Sequence, residues 1–329
     1  MKNIVILATG GTIAGCASSS EETLSYTSGI ISIDTLITQI PPLQKVANIT
    51  GEQFAQIDSS DMSLDIWIKL AKRVNELLCQ QSVDGIVITH GTDTLEETAY
   101  FLDLVVKSRK PVVLVGAMRP STAISTDGPK NIYDGVVLAA SDQAVGKGVL
   151  VCLNDTINCG RDVTKTNTSL QDTFKAPELG CLGYIQGSVP SFYRFPARKH
   201  TLETEFEINE HTKLPQVDIL YAYADYNATL AHAAVEAGAK GLIHAGIGNG
   251  GMSKCMKETL VEFSRQGIVI VRSSRVMSGI VTRNGAVNDD ECGFVAADSL
   301  NPQKARVLLM LALNKTSNIK EIQNMFWTY

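Results

Sequence analysis

Short, largely apolar runs recur along this chain: Ile4–Ala8, Gly85–Ile88, Pro111–Val115, Gly148–Leu153, Val217–Tyr221, Gly241–Ala245 and Ile268–Arg272. Runs without polar alternation are the pattern of parallel strands buried on both faces. Between them lie stretches with apolar residues at helical spacing. Ser63–Leu78 is the clearest, with Leu64, Trp67, Ile68, Ala71, Val74, Leu77 and Leu78 in one stripe and Ser63 placed as N-cap. Ile33–Ile40, Leu95–Val106, Asn131–Ala140, Leu230–Ala237, Lys254–Gln266 and Pro302–Leu313 read as further helices, the first ended by Pro41-Pro42. Val46–Ile49, Phe54–Ile57 and Cys181–Gln186 read as additional short strands. Two stretches lack a period: Ser- and Thr-rich Cys16–Ile31, and polar Asp155–Thr173. A loop as long as the first is often functional, for instance a lid.

Strands alternating with helices predict an α/β protein with parallel sheets. From Arg194 to Gln216 the alternation lapses into a charged, Pro-punctuated segment. The expected organisation is therefore a larger N-terminal domain over 1–193, a linker over 194–216 and a smaller C-terminal α/β domain over 217–329. The length, 329 residues, suits two domains.

Composition narrows the partners. With a net charge of −5 and no basic cluster, the chain is a poor candidate for nucleic acid. No apolar stretch is long enough to span a membrane, so no membrane is expected. Met1-Lys2-Asn3 runs straight into the first strand without a leader-like segment, which points to the cytoplasm, or to the periplasm if a leader has been removed. The seven cysteines are scattered and without C-x-x-C spacing, so neither zinc nor a disulfide framework is expected. No metal or other cofactor is implied.

Chemistry concentrates where apolar runs end. Thr9–Thr12, Ser59-Ser60, Thr89–Thr94 and Gly116–Ser121 are hydroxyl-rich or Gly-rich loops that follow strands. In a parallel sheet such loops share one edge and can converge on a pocket. His90 is the one His among them, and a lone His is more often structural. Gly10–Gly15 does not match G-x-G-x-x-G, and no G-K-[ST] occurs, so phosphate binding fits poorly. A hydrolase with a hydroxyl nucleophile fits better. Thr12 or Thr92 would attack a carbonyl, a Lys or Tyr would take the proton, and backbone N–H groups freed by the glycines would hold the oxyanion.

Thr9-Gly-Gly-Thr-Ile-Ala-Gly and Ile88-Thr-His-Gly-Thr-Asp-Thr-Leu-Glu-Glu-Thr closely resemble the two signature segments of bacterial-type L-asparaginases. Val115-Gly-Ala-Met-Arg-Pro, Arg161-Asp-Val-Thr-Lys-Thr-Asn, Val271-Arg-Ser-Ser-Arg-Val and Leu300-Asn-Pro-Gln-Lys-Ala-Arg extend the resemblance in order along the chain, most of all to the type II branch. The resemblance implies hydrolysis of L-asparagine to L-aspartate and ammonia. It places Thr12 on the nucleophile that forms an acyl-enzyme, and Thr92, Asp93 and Lys165 on the second hydroxyl and its activating pair. Tyr26 falls on the lid tyrosine, and Ser59 on the residue gripping the α-carboxylate, beside Ser60. Asp93 also receives the α-ammonium, Gly11 lines the substrate, and the Ala117 carbonyl accepts from the leaving amide. Ser121, Asp127 and Arg161 are expected to serve loop structure. The family further implies a homotetramer built as a dimer of intimate dimers, each site completed by a neighbour's C-terminal domain.

Three departures bear on selectivity. Ser60 stands where the family commonly has Gln or Glu, and Gly251 where a Gly-Asn-Gly loop often ends in Asn. Ala286 aligns with the neighbour's Glu that binds the α-ammonium. All three thin the polar side chains around the substrate's amino end. Glutamine, one methylene longer, should suffer more than asparagine, so low glutaminase activity is expected. Asp289, Asp290 and Glu291 are carboxylates near enough in sequence to substitute for the lost Glu. The alternatives are a dual glutaminase-asparaginase, an ammonia-delivering amidotransferase subunit, and a non-catalytic amino-acid sensor. Cys79 lies near a cysteine that is disulfide-bonded in some type II members, but its partner position is Ser108, so no disulfide is expected.

Overall fold

In the computed structural model, which describes residues 1–329, the chain divides into a first unit, Met1–Glu210, and a second, His211–Tyr329. The first unit runs β1 (Asn3–Gly10), α1 (Ile33–Thr38), α2 (Leu43–Val46), β2 (Asn48–Ile57), α3 (Leu64–Leu78), β3 (Gly85–Thr89), α4 (Leu95–Val105), β4 (Val112–Val115), α5 (Gly128–Ala139), β5 (Val149–Leu153), β6 (Thr156–Cys159), β7 (Thr164–Lys165), β8 (Phe174–Lys175), β9 (Gly183–Gln186) and β10 (Val189–Phe192). Its eight-stranded sheet has the order β10-β9-β6-β5-β4-β3-β1-β2. The five strands from β2 to β5 are mutually parallel, in the doubly wound order 2-1-3-4-5. The chain leaves β1 toward one side for β2 and then crosses back to the other for β3. That reversal opens a crevice at the carboxyl ends of β1 and β3, where open α/β sheets bind ligands.

The apolar runs form the centre of this sheet for the expected reason: β1, β3, β4 and β5 are buried almost throughout. Ile4, Ile6 and Ala8 share a core with Ile33 and Leu36 of α1 and Ile132 and Val136 of α5. Ser63 caps α3 by accepting from the Ile66 N–H at 3.3 Å. Thr9, Thr89 and Val115 all end at the same edge, so the four hydroxyl-rich loops are neighbours in space.

Two expectations need correction. The two strands read at Val46–Ile49 and Phe54–Ile57 are one ten-residue strand, β2, preceded by α2. Gly51 does not break it. A Cβ there would lie 2.9 Å from Ile37 and 3.1 Å from Ile33, so the missing side chain seats α1 on the strand. The first sheet is also mixed rather than parallel, because β6, β9 and β10 pair antiparallel. The turns responsible are Asn154-Asp155 and Gly187-Ser188, each with both residues at positive φ, the conformation of two-residue hairpin loops. Of the segment expected as a linker, residues 194–210 fall in the first unit, where Phe206 is buried and Thr204 hydrogen-bonds the Leu104 carbonyl.

The second unit contains β11 (Val217–Tyr221), α6 (Thr229–Glu236), β12 (Gly241–Gly246), α7 (Lys254–Arg265), β13 (Val269–Ser274), α8 (Asp289–Cys292), β14 (Phe294–Ala296), α9 (Pro302–Leu313) and α10 (Ile319–Thr328). Its four strands are all parallel, in the order β11-β12-β13-β14. The core is built from Leu242, Ile270 and Phe294 of the sheet against Met256, Leu260 and Phe263 of α7. The protein is thus α/β with a larger N-terminal sheet and a smaller C-terminal parallel one. No helix is long and apolar enough to cross a membrane.

Candidate active site

Thr12 follows two residues that only glycine can occupy. Gly11 has φ +82°, and a Cβ on it would lie 2.3 Å from the Gly91 Cα and 2.4 Å from the Gly91 nitrogen. A Cβ on Gly91 would in turn meet the Ser59 hydroxyl at 2.6 Å and the Gly11 Cα at 3.1 Å. The loops after β1 and β3 therefore touch backbone to backbone, and the Ser59 side chain from the loop after β2 packs against Gly91, which brings Thr12, Ser59 and Thr92 together. The fourth loop joins through Gly116, where a Cβ would meet the Thr92 methyl at 3.0 Å. Thr12, Ser59 and Thr92 are all buried.

Two hydroxyl systems face this junction. In the first, Thr12 Oγ1 and Tyr26 Oη are 2.6 Å apart. Tyr26 is delivered by the 16–31 loop, whose ends are joined by the paired backbone hydrogen bonds between Cys16 and Thr27, both 3.0 Å. In the second, the Lys165 ammonium donates to Thr92 Oγ1 at 2.9 Å and to Asp93 Oδ1 at 2.6 Å. A cation donating to a hydroxyl oxygen stabilises negative charge developing there. Lys165 sits on β7, and its backbone N–H donates to the Glu96 carboxylate on α4 at 3.1 Å. Glu96 escaped the sequence reading. Its signal was a carboxylate just inside the helix that follows Thr92-Asp93-Thr94.

Ser59 accepts the Asp93 N–H at 3.2 Å, and its own carbonyl accepts from the Thr94 hydroxyl at 2.8 Å. One lone pair of the Ser59 hydroxyl is thus used, and its proton is left to donate. Ser60 is placed differently: its hydroxyl donates to Asp58 Oδ1 at 2.7 Å and its N–H to the same oxygen at 2.9 Å. At Ala117 the preceding carbonyl, of Gly116, is held by the Asn131 side chain at 2.8 Å. Asp127 fixes the following turn through the N–H groups of Met118 and Arg119, both 3.0 Å, and Ser121 donates to the Gly15 carbonyl at 2.7 Å. The Gly11 N–H donates to the Ile57 carbonyl at 2.9 Å and so is not open to an oxyanion.

His90 is fully buried, and burial pushes its imidazole down to about pKa 4. The Trp67 indole N–H donates to the Thr98 hydroxyl at 2.8 Å, and Thr98 meets His90 Nε2 at 2.9 Å. A neutral ring that accepts there donates from Nδ1 to the Gly91 carbonyl, 2.7 Å away. His90 therefore steadies Gly91 rather than moving protons.

In the second unit, Ala286 is exposed in the loop before α8. Of the carboxylates near enough in sequence to replace a lost Glu, Asp289 and Asp290 are engaged. Asp289 is completely buried and bidentate to Arg272, at 2.6 and 2.7 Å. Asp290 pairs with Arg283 and accepts from Asn284. Glu291 stands exposed on α8.

Comparison with known proteins bears on this geometry over the whole chain. The family described as "Asparaginase, N-terminal" matches residues 3–198, and "Glutaminase/Asparaginase C-terminal domain" matches residues 216–326. L-asparaginase 2 of Escherichia coli is 50% identical over 329 residues, covering 100% of this chain and 94% of that protein. A glutaminase-asparaginase of Pseudomonas fluorescens is 48% identical over 330 residues, covering 100% of this chain and 91% of that protein. A crystal structure of a probable cytoplasmic L-asparaginase from Campylobacter jejuni superposes with a TM-score of 0.97 at 49% identity, each chain covered completely. A Haemophilus influenzae relative, 50% identical over 326 residues (99% of this chain, 93% of that protein), is described as a probable periplasmic L-asparaginase, so relatives carry both compartments in their names. Both domain families are matched in order and the relatives align from end to end: the chain belongs to the asparaginase family and is an amidohydrolase of that type.

Proposed function

We propose that the protein hydrolyses L-asparagine to L-aspartate and ammonia, with Thr12 as nucleophile. The observation that carries this reading is the convergence of Thr12–Tyr26 and Thr92–Lys165–Asp93 on one glycine-lined junction. Thr12 Oγ1 attacks the side-chain carbonyl carbon as its proton passes to the Tyr26 oxygen, which hands its own proton on toward the leaving nitrogen, while the Lys165 ammonium stays protonated and stabilises charge at Thr92. The oxyanion rests on backbone N–H groups of the glycine-flanked turns other than that of Gly11. Collapse breaks the C–N bond, the leaving nitrogen departs as ammonia with a proton, and Thr12 is left as an acyl ester. Water then attacks the ester, releasing aspartate and restoring the Thr12 hydroxyl. Ser59 donates to the α-carboxylate, Asp93 receives the α-ammonium, and the Ala117 carbonyl accepts from the leaving amide. The working form is a homotetramer of paired dimers in which a neighbour's C-terminal domain completes each site.

Selectivity follows from what surrounds the amino end. Ala286 brings no carboxylate, Asp289 is locked to Arg272, and the Ser60 proton is directed to Asp58. Losing a charge-assisted hydrogen bond costs roughly 1.5–3 kcal/mol, and a longer substrate has fewer remaining contacts to offset it. Glutamine is therefore a poor substrate. The second reading, a dual glutaminase-asparaginase, is favoured by relatives that carry that name, 48%, 47% and 45% identical to this chain. Ammonia release from each amide, by wild type and Thr12→Ala, decides among the readings. Asparagine turnover abolished in Thr12→Ala, with kcat/KM for glutamine at least about 10-fold lower, is expected. Comparable kcat/KM values would establish the dual enzyme, and binding without release would establish a sensor.

A further inference from the structure

Asp58 stands at the end of β2 and touches two loops at once. Its Oδ2 accepts from the Ser28 hydroxyl at 2.7 Å, two residues beyond Tyr26. Its Oδ1 accepts from the Ser60 N–H at 2.9 Å and the Ser60 hydroxyl at 2.7 Å, inside the turn that carries Ser59. We infer that Asp58 is a positioning residue that fastens the Tyr26 loop to the substrate-gripping turn, so that closure over Thr12 and the grip on substrate are set by one carboxylate. The inference rests on the reading of Thr12, Tyr26 and Ser59 given above.

Three features make the tie more than a surface contact. Tyr26 is bracketed by ties on its C-terminal side, with the Cys16–Thr27 backbone pair next to it and Ser28–Asp58 one residue further. Past Ser28, Gly29 donates to the Gly11 carbonyl at 3.2 Å and Ile30 to the Ala14 carbonyl at 2.8 Å, so the clamped segment continues directly onto the catalytic turn. The carboxyl is also held ionised. Hydrogen bonds from Ser28 and Ser60, with a smaller contribution from the Lys165 charge, keep its pKa below the usual range. A charged acceptor shared by three donors is the strong form of such a tie.

The two halves can be cut separately. In Asp58→Asn the amide oxygen can still accept from Ser60, which offers two donors, but the NH2 group cannot accept from Ser28. Ser28→Ala cuts the same tie from the other end. Both should lower kcat for asparagine by roughly 10-fold with a smaller change in KM, and the double variant should be no slower than either single. Ser60→Ala loosens the gripping turn instead and should act mainly on KM. Hydrogen–deuterium exchange reads the clamp without catalysis: residues 17–31 should exchange faster in Asp58→Asn and Ser28→Ala, while peptides from the second unit stay unchanged. Unchanged exchange of 17–31 in both variants, or fully multiplicative losses of kcat in the double variant, would overturn the clamp. A wild type that releases no ammonia from asparagine would overturn the catalytic reading, and the exchange measurement would still report on Asp58.

Discussion

Thr12 and Tyr26 meet hydroxyl to hydroxyl at 2.6 Å, although Tyr26 lies on a loop and Thr12 on the turn closing β1. Tyr26→Phe keeps the ring and removes the partner oxygen. General acid–base partners of this kind contribute about 10²–10⁴-fold, so kcat should fall by roughly that factor with a lesser change in KM. Thr12→Ala should abolish turnover while leaving binding of aspartate measurable by calorimetry. A Tyr26→Phe variant of wild-type kcat would remove Tyr26 from the mechanism.

Lys165 reaches Thr92 and Asp93 together, and its backbone is anchored to Glu96. Lys165→Met preserves much of the stem and deletes the charge. It should lower kcat by at least about 10²-fold, because Thr92 loses its cationic donor. Glu96→Gln keeps an oxygen for the Lys165 N–H and should cost much less. Comparable losses in the two variants would show that Lys165 acts through its position in the fold rather than through its ammonium.

The strands that place this site were readable because their burial is two-sided. Ile4–Ala8 and Val112–Val115 have no polar face, and nothing but the centre of a sheet accommodates that. The strands missed are those whose signal lies in turn geometry. Asn154-Asp155 adopts the left-handed conformation that Asn and Asp tolerate, and a polar pair inside a polar stretch conceals the hairpin. Gly51 misled in the opposite sense, since a glycine that admits a neighbouring helix looks the same in sequence as one that ends a strand. For the site, the residues delivered by signature segments were legible by resemblance. Asp58 and Glu96 were not, because each acts through another residue and its partners lie 30 or 69 positions away.

Arg272 and Asp289 make a buried ion pair in the second unit, both side chains at 0% exposure. The guanidinium spends its remaining donors on the carbonyls of Asn249 at 3.1 Å, Gly250 at 3.2 Å and Thr282 at 3.1 Å. It therefore ties together the Gly246–Gly251 loop and the segment leading to Ala286. Breaking such a pair from one side leaves an uncompensated buried charge and costs about 3–5 kcal/mol. Asp289→Leu alone should lose that much in urea unfolding. Asp289→Leu with Arg272→Met should recover part of the loss. A double variant less stable than the sum of the singles would show that the loop carbonyls depend on Arg272 more than on the charge pair.

Two buried histidines make stability fall with acid. His90 and His244 are both lowered from about 6.5 to about 4: His90 by burial, His244 by burial and then by the Arg272 charge. Above about pH 6.5 both are neutral folded or unfolded, and their contribution is fully present. Between pH 6.5 and 4 the unfolded chain binds protons that the folded chain refuses, so stability is lost as pH falls through that window. Each shift corresponds to on the order of 3 kcal/mol by the end of the window. Asp134 runs the other way. Burial raises its carboxyl to about 6, so its contribution is present below the usual carboxylate range and is lost as pH rises through 6. Urea unfolding at pH 7 and pH 5 should therefore show a net loss in acid. His244→Gln, which removes one of the two excluded protons, should flatten the slope by about one proton. An unchanged slope in that variant would mean that His244 takes up its proton at the same pH in the folded and unfolded chains.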